Sequence, residues 1–533
     1  MEDAQAQLAN LVETLPGVAE EFCRAPVAAS RVLPHQMQGV PLWMAIAGLG
    51  LVIALSHVLL ARRKNADGGG HWRWGLLGWA PFKALVQWPS FPIVAQSLSI
   101  ALLLLVAAAG LFGNQRYNIA TVLTWTWWWA LLIFVVAGFG KGFCAVCPWE
   151  GLASLSTSLS LKTRVKKIGF ERKWPRWARN LYPALGLFVL LTWFELGYEV
   201  TYSPSFTAVL GLGMAALAVL GALFFEKRAF CRYVCLVGRV SGLYALFSPV
   251  ELRPESRDVC RSCASKACLH GSGDKGGCPL FLSPGNLREN TYCTLCTECV
   301  RACPHDNIDI RLRPFAADLL SGDKRFRWDE AVMAMVLLAL TLFHGVTMTP
   351  QWERLNDWLR AVMGQDRLVI FTALMAVMVA LPLLLFWWGA TLSRILAGGE
   401  VKVGDVPKVL AYPLIPVALF YHLAHNGMHF FMEAQSIVPL LSDPFGWGWD
   451  LFGTAGHSYG PLLSLESVWW LQIGLIVVGH AYGVVVADKV GRLLYAASGR
   501  VLVGLAPFIA TMVLFSGFSI WLVAQPMVMR SGM

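Results

Sequence analysis

Charge is what this sequence lacks. Only 14% of its 533 residues are charged, against 56% hydrophobic, and the mean hydropathy is +0.56. Soluble domains carry about 25% charged residues, so the composition excludes a water-facing globule and points to lipid as the solvent. Other absences narrow the chemistry. No acid–base pair, nucleophile triad or glycine-rich phosphate loop is present, so hydrolysis and group transfer are not expected. No basic, aromatic-interleaved module is present, so nucleic acid is not an expected partner. Residues 1–22 lack a basic start followed by an apolar run, so no cleavable leader is expected. The 13 cysteines are clustered, not spread as in a disulfide scaffold; only Cys23 stands alone, and the C-x-x-C spacing points to metal or cluster ligation.

Apolar runs are abundant. A lipid core of about 30 Å takes roughly 20 such residues per helical span. Ten stretches qualify: 41–61, 92–113, 119–140, 181–198, 206–225, 329–348, 368–388, 409–430, 468–487 and 501–524. The expected fold is mainly α, a polytopic helical membrane bundle of about ten spans with a small α+β ferredoxin-like insert. Its expected parts are an outer segment (1–40), five spans (41–248), the insert (249–315) and five further spans (316–533).

Cations orient the chain, because Lys and Arg collect on the cytoplasmic side. Arg62, Arg63 and Lys64 follow the first span, and 162–179 holds eight Lys/Arg. Lys227, Arg228, Lys324, Arg325, Arg394, Lys402, Lys408, Lys489 and Arg492 fall on the same side, whereas 431–467 has no Lys or Arg. This places the insert in the cytoplasm and both termini outside. Residues 351–367 put Trp352, Leu355, Trp358, Leu359 and Val362 on one stripe, expected to lie in the outer interface. The Gly- and Trp-rich loop 443–459 is expected to cap the outer ends of the last spans.

The insert carries the strongest motif. CRSCASKACLHGSGDKGGCP runs from Cys260, and CTLCTECVRACP begins at Cys293, with fourteen residues between it and Cys278. The second run is C-x2-C-x2-C-x3-C-P, the spacing of a bacterial 4Fe-4S site, whose fourth cysteine serves the other cluster in two-cluster ferredoxins. That rule assigns Cys260, Cys263, Cys268 and Cys303 to one cube. Cys293, Cys296, Cys299 and Cys278 take the second. The first half has a longer spacing than the ideal, with four residues between Cys263 and Cys268 and nine between Cys268 and Cys278. Structural zinc is the competing reading, but zinc sites usually present separated cysteine pairs.

Two further pairs sit at span ends. Cys144 and Cys147 follow the third span, and Cys231 and Cys235 follow the fifth. Their thiolates suit a further iron–sulfur cluster or another metal centre; packed thiols or a labile disulfide are the alternatives. Paired cysteines at span ends followed by a two-cluster insert resemble the NosR/NapH-type membrane polyferredoxins over about residues 125–314. These are accessory proteins of nitrous oxide and periplasmic nitrate reductases, with relatives in cytochrome oxidase assembly. The resemblance implies a bacterial inner-membrane protein carrying electrons from the quinone pool or a cytoplasmic donor towards a periplasmic acceptor. The family's usual motif is C-x3-C-P. Here the first pair is separated by two residues, the second is followed by Leu236 instead of Pro, and no large outer flavin-binding domain precedes the first span.

Histidines mark the later spans. His422, His425 and His429 share one face of the eighth span, and His480 lies in the ninth between Gly479 and Gly483. His344 and His57 lie in the sixth and first. Intramembrane ionisable residues usually face the bundle interior. Three readings compete: haem b held by His422 and His480, with the two glycines leaving room beside the helix; copper or another metal at His425 and His429, with Met428 or Met432 and His457 as an optional further ligand; and metal-free hydrogen bonding or quinone contact. Electron transfer is the expected function. A copper-reducing assembly factor and a redox anchor subunit of a larger complex are the alternatives.

Overall fold

The computed structural model describes residues 36–61, 72–162, 169–226, 228–272, 276–322, 324–398 and 404–529. Cys23, Arg62, Arg63, Lys64, Lys227, Lys402 and nearly all of the expected outer segment lie outside them.

Strand β1 (Gln36–Met37) leads into α1 (Leu42–Ala61), and β2 (Trp74–Gly75), α2 (Ala80–Gln87) and α3 (Phe91–Phe112) follow. The third crossing, Ile119–Thr157, is not one regular helix. It is π-helical at Val122–Trp129, continues as α4 (Ala130–Phe139), tightens to a 3-10 turn at Gly140–Ala145 and resumes as α5 (Pro148–Lys162). Next come α6 (Tyr182–Gly197), α7 (Pro204–Phe224) and α8 (Leu236–Tyr244), then β3 (Val250–Pro254) and β4 (Ile308–Leu312) of the insert. The second half holds α9 (Trp328–Thr347), α10 (Pro350–Met363), α11 (Arg367–Ala397), α12 (Leu414–Glu433), α13 (Leu465–Tyr495) and α14 (Val501–Val523). It closes on β5 (Met527–Val528), antiparallel to β1.

The fold is the mainly α, polytopic bundle that the apolar runs demand, since a chain in lipid must satisfy its backbone internally. Among the described residues nine helices are long and apolar enough to cross a membrane. The tenth expected span is α6, apolar but only 16 residues long. Two helices outrun expectation. α11 and α13 are 31 residues each, about 46 Å at the helical rise, and their last turns carry Arg394 and Arg492. α9 and the Asp405–Ser442 segment containing α12 form the centre, 78% and 94% buried in their apolar windows, against 17% for α11. α10 seats Trp352 against Phe343 and Phe371 while Trp358 and Val362 stay exposed.

The 443–459 loop is ordered by stacked Phe445, Trp447 and Trp449, but it caps different helices from those expected. Phe445 and Pro444 carbonyls accept from the Asn114 and Ile119 amides, so the loop covers the junction of α3 with the third crossing.

The insert is built from two separate stretches of chain. Its sheet runs β2-β4-β3, with Leu312 opposite both Trp74 and Val250, so its edge strand comes from between the first two crossings. α2 closes the same domain: the Val86 carbonyl accepts from Arg301 at 3.1 Å, and Lys83 pairs with Asp306 at 2.7 Å. A buried ion network ties this sheet to the bundle. Arg313 donates to Glu251 on β3 at 3.0 Å and to Asp318, which precedes α9, at 2.9 Å. Arg253 lies 3.6 Å from both carboxylates, and all four residues are under 8% exposed.

Candidate metal centres

Each expected cysteine foursome lines its own cavity. The inner one holds Cys278, Cys293, Cys296 and Cys299, walled by Leu252, Leu280, Leu282 and Pro284. The other holds Cys260, Cys263, Cys268 and Cys303 with Lys266, His305 and Asn307. All twelve described cysteines are free thiols. Among the described residues no three His, Cys, Asp or Glu side chains converge on a single-ion site.

Local backbone explains the placement. Leu295 (φ 53°) and Thr297 (φ 64°) both adopt left-handed conformations between the cysteines of the inner motif, and Lys266 (φ 47°) does so in the outer. Such residues cost about 1–3 kcal/mol each and persist where the surroundings fix them. Phe281 (φ 56°) and Asp306 (φ 48°) are left-handed too, and the amides that follow them face sulfur: Leu282 N donates to Cys278 at 3.3 Å and Asn307 N to Cys303 at 3.5 Å. The Asn307 side chain donates to Cys260 at 3.3 Å.

Burial raises most of these thiols, Cys296 to about 12 and Cys299 well above the ordinary range. The Ser265 hydroxyl and the Lys266 amide lower exposed Cys263 to about 7. Metal binding requires thiolates, so loading must displace those protons.

The two cavities touch. The Cys278 amide donates to the Cys268 carbonyl at 2.9 Å, and Cys299 lies within electrostatic reach of Cys268. Beyond the inner cavity stand the span-end thiols. Cys147, Cys235, Cys144 and Cys231 lie within mutual electrostatic reach where the third crossing meets the segment leading into α8. Cys235 is the N-cap of α8 and accepts from Gly238 N at 3.4 Å; burial outweighs that hydrogen bond and pushes the thiol up to about 11. Cys231 donates to Glu150 at 3.3 Å, and Glu150 pairs with Arg228 at 2.5 Å.

Two buried cations went unnoticed in the sequence. Lys141 (2% exposed) lies within reach of Cys144, Cys235 and Cys293, between the span-end thiols and the inner cavity. Arg239 (1% exposed) bonds to the Thr291 carbonyl at 3.2 Å and stacks on Tyr292. Arg232, beside Cys231, donates to Leu280 in the wall of the inner cavity at 3.0 Å. The span ends and the insert are thereby one construction.

The histidines are not arranged for haem. His480 is wholly buried and bonds Ser56 through Nε2 at 2.8 Å and Ser516 through Nδ1 at 2.9 Å, so both ring nitrogens are engaged. His422 bonds the Tyr244 hydroxyl through Nδ1 at 3.3 Å. The glycines beside His480 leave no gap. A Cβ on Gly479 would lie 2.4 Å from that of Phe420, and one on Gly483 would lie 3.0 Å from the Pro413 carbonyl, so α12 fills the space a porphyrin needs. Of the copper set, His425 and His429 lie side by side on α12 with Met428 buried beside them, while His457 is on the exposed loop. His425 meets His344 and His429 edge to face, with ring centroids 5.1 Å apart on each side, and His429 Nδ1 lies 3.1 Å from Glu433.

No protein-family model and no solved structure matches the chain. It is 26% identical to Escherichia coli YccM, named for electron transport, over 42% of this chain and 68% of YccM. It is 31% identical to the methylamine utilization ferredoxin-type protein MauN of Paracoccus denitrificans, over 25% of this chain and 49% of MauN. With protein NirI of the same organism it shares 26% identity over 32% of this chain and 26% of NirI. The matches thus span from about a quarter to two thirds of these relatives. The chain is similar to ferredoxin-type electron-transport proteins, and the likeness does not narrow to the NosR/NapH type.

Proposed function

We propose that this chain is a membrane-bound iron–sulfur protein that relays electrons between a quinone pool or cytoplasmic donor and a partner across the membrane. The supporting observation is the pair of adjoining cavities, each lined by four thiols. Cys260, Cys263, Cys268 and Cys303 hold one 4Fe-4S cube; Cys278, Cys293, Cys296 and Cys299 hold the other. Bound there, the cubes supply one-electron carriers. The protein's residues supply the rest: amides that donate to sulfur, apolar walls that exclude water, and contacts that fix the insert against the bundle. In this reading the chain sits in a bacterial inner membrane with the insert on the cytoplasmic face.

Cys144, Cys147, Cys231 and Cys235 hold a third centre. Lys141 and Arg239 support this reading, because neither has a carboxylate within ion-pair distance among the described residues, and an uncompensated buried charge is costly. An anionic metal–thiolate group between them supplies the missing charge. Replacing Lys141 with Met should therefore lower the potential of this centre, by about 60 mV for each 1.4 kcal/mol of attraction lost in a one-electron couple. A potentiometric titration followed by electron paramagnetic resonance reads the shift.

The test of the whole reading is the metal and sulfide content of anaerobically purified protein. About eight irons are expected from the two insert cubes, and about twelve with the third centre occupied by a cube. Zinc in the insert, or no paramagnetic signal on reduction, would overturn it.

A further inference from the structure

We propose that His344, His425, His429 and Glu433 form a proton path that discharges at the end of the bundle remote from the insert. The proposal rests on the quinone-linked reading above and adds to it where the protons go. Buried ionisable groups in a membrane bundle are costly and mark function by default. Here three of them, joined by half-buried His344, are contiguous. The His344, His425 and His429 rings follow one another at 5.1 Å, and the last meets Glu433 at 3.1 Å. His425, His429 and Glu433 are 4%, 1% and 1% exposed. An imidazole accepts a proton on one nitrogen and releases one from the other, which lets such a file pass protons along. The Glu433 carboxylate orients His429 by accepting from Nδ1.

The direction follows from the helices. α9 leaves the insert at Trp328, and His344 lies sixteen residues on, about 24 Å along the axis. Glu433 is the last residue of α12, and the following 434–467 segment has no Lys or Arg to repel an emerging proton. The file also has an inner neighbour. His422, on the same face of α12, bonds Tyr244 at the end of α8, and the first turn of α8 is capped by Cys235. Among the described residues, Tyr421 also stands beside His425, 6.4 Å away on the same helix.

The reaction class is the oxidation of a lipid-soluble hydroquinone. The quinol loses two electrons and two protons to become quinone. The thiol-held centres take the electrons, one each, and the file takes the protons to the far face. Electrons and protons leave in opposite directions.

The test uses the full-length protein in liposomes with a pH-sensitive dye in the lumen, the insert facing out, decylubiquinol as donor and external ferricyanide as acceptor. Most of the released protons should appear in the lumen, and Glu433→Gln and His429→Phe should each cut that lumenal share tenfold or more. Release on the insert side in the unaltered protein, or an unchanged share in both variants, would overturn the path. A second arm needs no quinol. In the oxidised protein, the infrared carboxylate band that is missing from Glu433→Gln should answer a pH jump within seconds; silence over hours would overturn the path whatever the donor. A prompt band response without any quinol-dependent cluster reduction would sink the quinone reading and leave the path standing.

Discussion

Replacing Cys299 with serine should remove about four irons per chain and stop electron passage between the insert and the membrane. Cys299 is 8% exposed and lines the inner cavity, the one within reach of Lys141 through Cys293. A serine hydroxyl there is a poor ligand for a soft iron–sulfur centre, and no other side chain in the cavity wall can replace the thiolate. The contrast with Cys263→Ser makes the experiment sharp. That change should cost the same iron, because Cys263 lines the outer cavity. It should leave the inner centre reducible from the membrane side. Iron analysis and the spectrum after reduction through each face separate the two cases. Equal iron in Cys299→Ser and the parent protein would show that the thiolate is not a ligand.

Replacing Arg313 with Met should destabilise the junction of insert and bundle by about 3–5 kcal/mol. The cost comes from what is left behind. Glu251 and Asp318 are 2% and 3% exposed, and Arg313 makes the closest contacts to both; Arg253 lies farther from each, at 3.6 Å. Removing one partner of a buried network is much worse than removing the network. The triple change Arg313→Met, Glu251→Gln, Asp318→Asn should therefore regain most of the loss. Denaturant-induced loss of the cluster absorbance measures both. If the single and triple variants were equally stable, the carboxylates would not be the source of the effect.

The apolar runs made the bundle legible, because lipid leaves a spanning chain almost no choice of structure. The cysteine foursomes were legible because two thiols two residues apart are held together by covalent geometry alone. What escaped depended on contacts between distant residues. Trp74 and Gly75 are a two-residue strand with no alternation to read, so the edge of the insert's sheet was invisible. Lys141 sits in a glycine-flanked span end, where a lysine reads as an ordinary boundary charge; only packing reveals that it is buried between thiols. The loop at 443–459 announced order through its tryptophans but carried nothing to say which helix ends it would cover. The haem expectation failed for a related reason. His422 and His480 match in depth, yet depth cannot tell whether a glycine opens a slot or admits a neighbouring helix, and here Phe420 occupies the place.

The division of the insert between residues 72–88 and 249–315 sets a timetable for biogenesis. Its edge strand and covering helix leave the ribosome early and must wait while four further hydrophobic segments and the helical turn bearing Cys235 are synthesised. Only when β4 emerges can Leu312 bridge the Trp74 and Val250 strands. The sheet that walls both cysteine cavities thus closes only in a chain whose earlier crossings are already made, and a fragment starting at residue 249 would present the β4 edge bare, an invitation to pair with its own copies.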